Sequence, residues 1–243
     1  MSTSAVRRNA RAWLDLRHLT GLVWRRWSDK IEAANWNARY LAWLREHCHP
    51  ERSRLMVMRP PPLFATRAKM YSFLAEFGEH PITYLEFGVY KGESLAAWAK
   101  LNTHPNSQFH GFDSFEGLPA EDGAPFEEGH FKTNVPTFDD PRITLHEGWF
   151  NETLPDFAVG GAISQPLVIN MDADLYSSTL YVLTYLDIQI PPGTIIMFDE
   201  MSVAQCEFRA LIDWSTAYRR SYEVIAGFSH GRRVEGVAIE LEG

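Results

Sequence analysis

Two apolar runs, each ending abruptly in carboxylates, constrain this chain more than any other feature. Leu167-Val-Ile-Asn-Met171 leads into Asp172-Ala-Asp174, and Gly193-Thr-Ile-Ile-Met-Phe198 leads into Asp199-Glu200. Each run has the length and apolar character of a strand buried on both faces. The stretch from Tyr176 to Ile190 between them has helical length, so the unit reads strand–helix–strand with parallel strands. Asp172, Asp199 and Glu200 then lie at the carboxyl ends of two strands, where open α/β sheets place their ligands. Acids crowded in this way repel one another unless a proton or a cation relieves them. A hard divalent cation such as Mg2+ suits such oxygen ligands.

The 243 residues suffice for one large α/β domain, or for one domain with an appendage. Cys48 and Cys206 are far apart and follow no metal-binding spacing, which fits a reducing, cytoplasmic compartment. No apolar run has transmembrane length, and Arg7, Arg8, Arg11 and Arg17 interrupt the start before a signal-peptide core can form. The same Arg-rich, acid-poor start also has the composition of an organellar transit peptide. Charge is divided unevenly: residues 1–54 hold 11 Lys+Arg against 5 Asp+Glu, and the rest holds 12 against 26. The strongly negative body excludes non-specific binding to nucleic acid, because phosphate repels it.

Residues 5–48 read as helical, with Leu16, Leu19, Val23, Trp27, Ile31 and Ala34 at three- and four-residue steps. Five of the eight tryptophans lie there (Trp13, Trp24, Trp27, Trp36, Trp43), so residues 1–60 form a helical appendage with an aromatic face to cover. The domain itself, with the roof of its active site, or a second subunit is the expected cover, the latter making the protein a homo-oligomer; a membrane surface is the less favoured one. Pro60-Pro-Pro62 separates this appendage from a domain over 61–243. That domain reads as helix Leu63–Gly78, strand Ile82–Phe87, helix Ser94–Leu101, strand Gln108–Phe112 and an irregular segment 116–141. Strand Arg142–Leu145, a short linker, strand Leu167–Met171, helix 176–188 and strand Thr194–Phe198 follow. Helix Val203–Tyr218 and strands Tyr222–Ala226 and Val234–Leu241 complete it, the last two joined through Gly227 to Gly231. The pattern implies a doubly wound, three-layer, Rossmann-like sheet with a terminal antiparallel hairpin.

Tyr84-Leu-Glu-Phe-Gly-Val-Tyr-Lys-Gly-Glu-Ser94 runs from a strand through a turn into a helix. Gly88 and Gly92 let backbone approach a ligand, and Ser94 can cap the helix. The pattern is E-x-G-x-x-x-G rather than the dinucleotide fingerprint, and Glu86 at the strand end suits a cationic ligand better than a pyrophosphate. Asp113 ends the next strand and can accept protons from two ribose hydroxyls. Together these residues favour an adenosine ligand that carries positive charge.

Five motifs occur in order: Glu86-Phe-Gly-Val-Tyr-Lys-Gly-Glu-Ser94, Gly111-Phe-Asp-Ser-Phe-Glu-Gly-Leu-Pro119, Gly148-Trp-Phe-Asn-Glu-Thr-Leu-Pro155, Asp172-Ala-Asp-Leu-Tyr-Ser-Ser-Thr179 and Pro192-Gly-Thr-Ile-Ile-Met-Phe-Asp-Glu200. Over about residues 80–240 the chain resembles the macrocin and mycinamicin O-methyltransferases, a metal-dependent branch of the class I S-adenosylmethionine methyltransferases. The resemblance implies methyl transfer from S-adenosylmethionine to a hydroxyl of a small molecule, a sugar or glycosylated natural product, with Mg2+. It places Glu86, Gly88 and Ser94 around the methionine part of the cofactor and Asp113 on its ribose, with Tyr90, Gly92 and Ser114 in the same cofactor set. It places the metal on Asp172 and Asp199. Glu200, where many members carry a second aspartate, keeps the carboxylate with one more methylene and joins the same metal set.

Methyl transfer from a sulfonium is an in-line displacement in which the acceptor oxygen loses a proton. Asp172 or Asp174 can receive that proton, although Asp174 also suits a helix cap before Leu175-Tyr-Ser-Ser. His130, in the irregular segment, is a further candidate base, and Trp149 and Phe150 can flank the adenine. Two rival readings remain. A nicotinamide-dependent oxidoreductase is disfavoured by the missing fingerprint glycine and by the lack of a Tyr-x-x-x-Lys pair. A non-catalytic nucleotide-binding scaffold has no need of clustered acids.

Overall fold

The computed structural model describes residues 27–48, 61–76, 80–121, 126–159, 163, 166–231 and 233–243. The central strands are β5 (Leu167–Met171), from the first of the apolar runs, and β2 (Thr83–Phe87), which carries Thr83 and Glu86 among apolar residues; both are buried along their whole length. They pair in parallel, Thr83 opposite Leu167 through Phe87 opposite Met171. On the outer side of β2 lie β3 (Gln108–Asp113) and then β4 (Ile143–Glu147), both parallel. On the outer side of β5 lies β6 (Ile195–Phe198), again parallel, followed by β8 (Arg233–Leu241), antiparallel to both β6 and β7 (Tyr222–His230). A two-residue strand, β1 (Leu63–Phe64), closes the far edge, giving the order β1-β7-β8-β6-β5-β2-β3-β4. The chain winds outward from β2 to β4 and then returns to the other side of β2, so the topological switch point lies between β2 and β5.

Helices cover both faces. One face carries α2 (Arg67–Ala75) and α3 (Glu93–Leu101), packed through Met70, Tyr71, Leu74, Leu95 and Trp98. The other carries α4 (Phe150–Val159), α5 (Tyr176–Leu186) and α6 (Glu207–Tyr218). A helix over 27–47, α1, joins that second face. This is the Rossmann-like, three-layer arrangement with a terminal antiparallel hairpin that the alternating pattern implies.

Several local expectations change. Leu63–Phe64 is a strand rather than the start of a helix, because it pairs in parallel with Gly227 and Phe228 of β7, and α2 begins only after Thr66. The Thr66 side chain accepts from the Lys69 N–H at 3.3 Å, which fixes that start. The linker before β5 contains α4, hidden in the sequence by Pro155, which the helix accommodates in its second turn. Helix α6 starts at Glu207 rather than Val203, and the hairpin is tighter than expected, with β7 reaching His230 and β8 starting at Arg233.

The α1 face also differs. Residues 1–26 and 49–60 lie outside the described residues, so Leu16, Leu19 and Val23 are not placed. Trp27 and Ile31 are exposed, whereas Trp36, Tyr40 and Trp43 are buried. These three rings pack round Phe208 of α6 at centroid distances of 6.2, 5.1 and 5.7 Å. Tyr40 Oη donates to the Val234 carbonyl and Trp43 Nε1 to Tyr222 Oη, both at 3.0 Å. The cover for these two tryptophans is therefore the chain's own α6 and terminal hairpin. No helix among the described residues is long and apolar enough to cross a membrane.

Candidate active site

The turn after β2 is drawn tightly onto the end of β5. Gly88 sits at φ +91, and a Cβ there would lie 1.8 Å from the Asp172 carbonyl oxygen, so only glycine fits. Asp172 N–H donates to the Phe87 carbonyl at 2.9 Å, and Gly88 N–H to the Phe112 carbonyl at 3.0 Å, stitching three strand ends together. Asp113, ending β3, clamps the turn from the other side. Its Oδ2 accepts from the Val89 and Tyr90 N–H groups at 2.8 Å each, and its Oδ1 from Phe115 N–H at 2.7 Å. Oδ2 is thereby filled and Oδ1 keeps one lone pair, so the carboxylate has room for one ribose hydroxyl rather than two.

Glu86 is fully buried rather than facing a ligand. Its Oε1 accepts from Ser94 Oγ at 2.8 Å, and its Oε2 accepts from Tyr84 Oη at 2.6 Å and Asn170 Nδ2 at 3.2 Å. Burial pushes its carboxyl up to about 7, against the pull of those donors. Ser94 accordingly does not cap α3; the cap is Gly92, at φ 76 with no side-chain bond. Tyr71 Oη donates to Asn170 Oδ1 at 3.3 Å, extending the network from α3 through β2 and β5 to α2.

At the ends of β5 and β6 the acids do gather. Arg67, the first residue of α2, donates through Nη1 to Asp172 Oδ2 at 2.9 Å and to Asp199 Oδ2 at 2.7 Å. Burial would lower the guanidinium pKa, but Asp199 and Asp172 outweigh it and hold it protonated. The carboxyls move the other way. Burial, then repulsion by Asp199, pushes Asp172 and Glu200 up, and burial also raises Asp199. Asp174 is pushed up to about 7 by burial and then by Glu200 and Asp199. It sits at φ 60 and is not the helix cap, which is Leu175. Glu207, fully buried at the start of α6, accepts from Glu200 N–H through Oε2 at 2.9 Å.

The relief expected from a divalent cation is thus supplied between Asp172 and Asp199 by a guanidinium. Among the described residues no three His, Cys, Asp or Glu side chains are grouped as a metal site. The donor chemistry nevertheless fits a hard cation, because Asp199 Oδ1, Glu200 Oε2 and Glu207 Oε1 are buried oxygens without a hydrogen-bond partner.

A cavity of about 740 Å3 opens at the switch point. Gly88, Tyr90, Ser94, Asp113 and Ser114 line one part, and Arg67, Asp172, Asp174, Asp199 and Glu200 another. Trp149 and Phe150 line its wall, with Leu118 and Phe131 from the irregular segment. Three expected residues do not line it. Glu86 is sealed behind Ser94, and Gly92 lies under Phe138, whose ring a Cβ would meet at 2.4 Å. The His130 ring stacks on Phe126 at 4.9 Å, while its backbone braces the segment through the Leu118 N–H. Sequence reasoning missed Arg67, Asn170 and Glu207; the surplus of acids at the strand ends was the only signal that a cation had to come from elsewhere.

Comparison with known proteins agrees with this geometry. Residues 85–201 match the family described as Methyltransferase domain. The chain is 28% identical over 144 residues to 8-demethyl-8-(2,3-dimethoxy-alpha-L-rhamnosyl)-tetracenomycin-C 4'-O-methyltransferase of Streptomyces olivaceus, a match covering 50% of this chain and 54% of that protein. The chain therefore spans about half the length of this curated relative. The O-methyltransferase NovP superposes with a TM-score of 0.56 at 20% identity, over 73% of this chain and 80% of that one. The calicheamicin methyltransferase CalS11 gives 0.55 at 21% identity, over 86% and 92%. The O-methyltransferase TomG from Streptomyces achromogenes, solved in complex with SAM, gives 0.51 at 15% identity, over 87% and 99%. The chain thus has the Rossmann-like methyltransferase fold, and its residues 85–201 carry the match to a methyltransferase domain.

Proposed function

We propose that this chain is an S-adenosylmethionine-dependent O-methyltransferase acting on a hydroxyl of a small molecule, a sugar or glycosylated natural product. The observation that carries the reading is the single cavity in which the glycine turn of β2 and the acids of β5 and β6 meet. At about 740 Å3 it lies in the upper range of small-molecule sites, with room for a cofactor and an acceptor side by side. The methyltransferase-domain match and the sugar-methylating relative support the same assignment.

In this reading the turn Gly88–Tyr90, clamped by Asp113, holds the nucleoside end of the cofactor, with Trp149 and Phe150 beside the base. The methyl group passes in line from the sulfonium sulfur to the acceptor oxygen, which gives up its proton to a carboxylate. Asp172 is tied to Arg67, whereas no hydrogen bond holds Asp174 among the described residues. Asp174 is therefore the residue free to take the proton. A divalent cation, when present, would be held by Asp172, Asp199 and Glu200 and would lower the pKa of the acceptor hydroxyl.

Calorimetric titration of the purified protein with S-adenosylhomocysteine and, separately, NAD tests the assignment. Binding of S-adenosylhomocysteine is expected, and tighter binding of NAD refutes it. Transfer of a labelled methyl group to a panel of neutral glycosides then identifies the acceptor.

A further inference from the structure

Arg67 is the anomaly of the acid cluster. Of the clustered carboxyl groups Asp172, Asp199, Glu200 and Glu207, the Arg67 guanidinium contacts the first two, while Arg233 acts on Glu200. Three of their buried oxygens remain unpartnered, among them Oε1 of the fully buried Glu207. Buried acid oxygens thus stay unpartnered while the notch between Asp172 Oδ2 and Asp199 Oδ2 is filled by Arg67. A guanidinium N–H spans its acceptors at 2.7–2.9 Å, whereas Mg2+ requires oxygens at about 2.0–2.1 Å. Both cannot sit between the same two oxygens.

Arg67 also has somewhere to go. Its side chain is 35% exposed and hangs from the first residue of a helix. It forms a wall between the main cavity and a second one of about 430 Å3, lined by Thr66, Phe228, Ser229, His230 and Glu235. Asp199 and Glu200 also line that second cavity with Glu235, whose Oε2 accepts from Ser202 Oγ, so carboxylate oxygens flank the guanidinium on that side too.

We propose that Arg67 is a resident counter-cation: it holds Asp172 and Asp199 together, and a divalent cation binds the cluster only by displacing it towards Glu235. The inference rests on the methyltransferase reading in that the same acids face the acceptor. Arg67 then sets the divalent affinity of the site, because every binding event must first break two charge-assisted hydrogen bonds.

The test is Mn2+ binding, followed by the electron paramagnetic resonance of free Mn2+, with S-adenosylhomocysteine present. Arg67→Ala should bind Mn2+ at least about tenfold more tightly than the unaltered protein, since the competitor is gone. The gain should vanish in Arg67→Ala/Asp199→Asn. A merely structural role for Arg67 predicts the opposite, a weaker or unchanged Mn2+ site. Should Arg67→Ala fail to fold, Arg67→Gln serves: its neutral amide fills similar space without the positive charge that competes with the cation, so its Mn2+ affinity should rise. Unchanged or weaker Mn2+ affinity in a folded variant, or no Mn2+ binding by any form, overturns the inference. Calorimetry of S-adenosylhomocysteine in the same samples separates the two claims. If it binds while Mn2+ ignores Arg67, only the inference falls; if it does not bind, the methyltransferase reading falls.

Discussion

Replacing Gly88 by alanine should damage this protein far more than the loss of one glycine ordinarily does. Two effects add. A non-glycine residue in the left-handed region costs roughly 1–2 kcal/mol. The new Cβ would also lie 1.8 Å from the Asp172 carbonyl oxygen and 2.8 Å from its carbon, where real contacts stay beyond 3.0 Å. The β2 turn and the end of β5 must therefore part by more than an ångström, straining the Asp172-to-Phe87 and Gly88-to-Phe112 hydrogen bonds. At about 1 kcal/mol for each bond, the total reaches roughly 3–4 kcal/mol, a large part of a typical folding free energy. Gly193→Ala is the control. Gly193 sits at φ +83 with nothing within 4 Å of its Cβ position, so it carries the backbone strain without the clash. Urea unfolding of both variants reads the difference, with unchanged m-values as the condition for comparison. Gly88→Ala should fall below Gly193→Ala by about 2 kcal/mol and should also bind S-adenosylhomocysteine less tightly. Equal stabilities, within about 0.5 kcal/mol, would refute the reasoning and with it the close approach of the two strand ends.

Three further outcomes follow from particular residues. Asp174→Asn should lower the methyl-transfer rate by about 10²–10⁴-fold while leaving S-adenosylhomocysteine affinity unchanged; retention of full turnover removes Asp174 as the proton acceptor. Glu86, raised in the fold from 4.5 to about 7, contributes stability that is complete below pH 4.5 and is lost as pH rises through 7. Over that window the loss should amount to roughly 3 kcal/mol and be absent from Glu86→Gln, which pH-dependent urea titrations of both proteins will show. Trp36→Ala should destabilise by about 3 kcal/mol and Trp27→Ala by less than about 0.5 kcal/mol in thermal unfolding, because only the first ring is buried against Phe208.

Which parts of this architecture could be read from the chain follows from the range of the interactions that specify them. Strands β2, β5 and β6 were legible because burial on both faces demands a mainly apolar stretch of four or five adjacent residues, interrupted here only at Thr83, Glu86 and Asn170. The switch point followed from their order. Helix α4 was not legible, since Pro155 locally contradicts it and only packing of Leu154 and Phe157 on the sheet overrides that signal. On α1 two apolar faces compete at helical spacing. The winner, Trp36-Tyr40-Trp43, is selected by Phe208 and Tyr222 more than 160 positions away.

The site divides along the same line. Asp172, Asp174, Asp199 and Glu200 reach the cavity because strand period and strand ends place them, and both are local properties. Charge balance is not local. Asp172 and Asp199 lie 105 and 132 positions from the arginine that neutralises them, and Arg67 itself looks like an ordinary first-turn residue after a threonine cap. The Glu86 motif shows the converse. Its glycine spacing correctly marks a turn that approaches other backbone, but the acid inside it is spent on Tyr84, Ser94 and Asn170 and never reaches the cavity. A carboxylate at a strand end therefore announces only that a positive or donor group must come to it. Whether that group is a ligand, a metal or the protein's own side chain is decided by elements distant in the sequence. At Asp172 and Asp199 it is decided by α2, which precedes the whole methyltransferase-domain match.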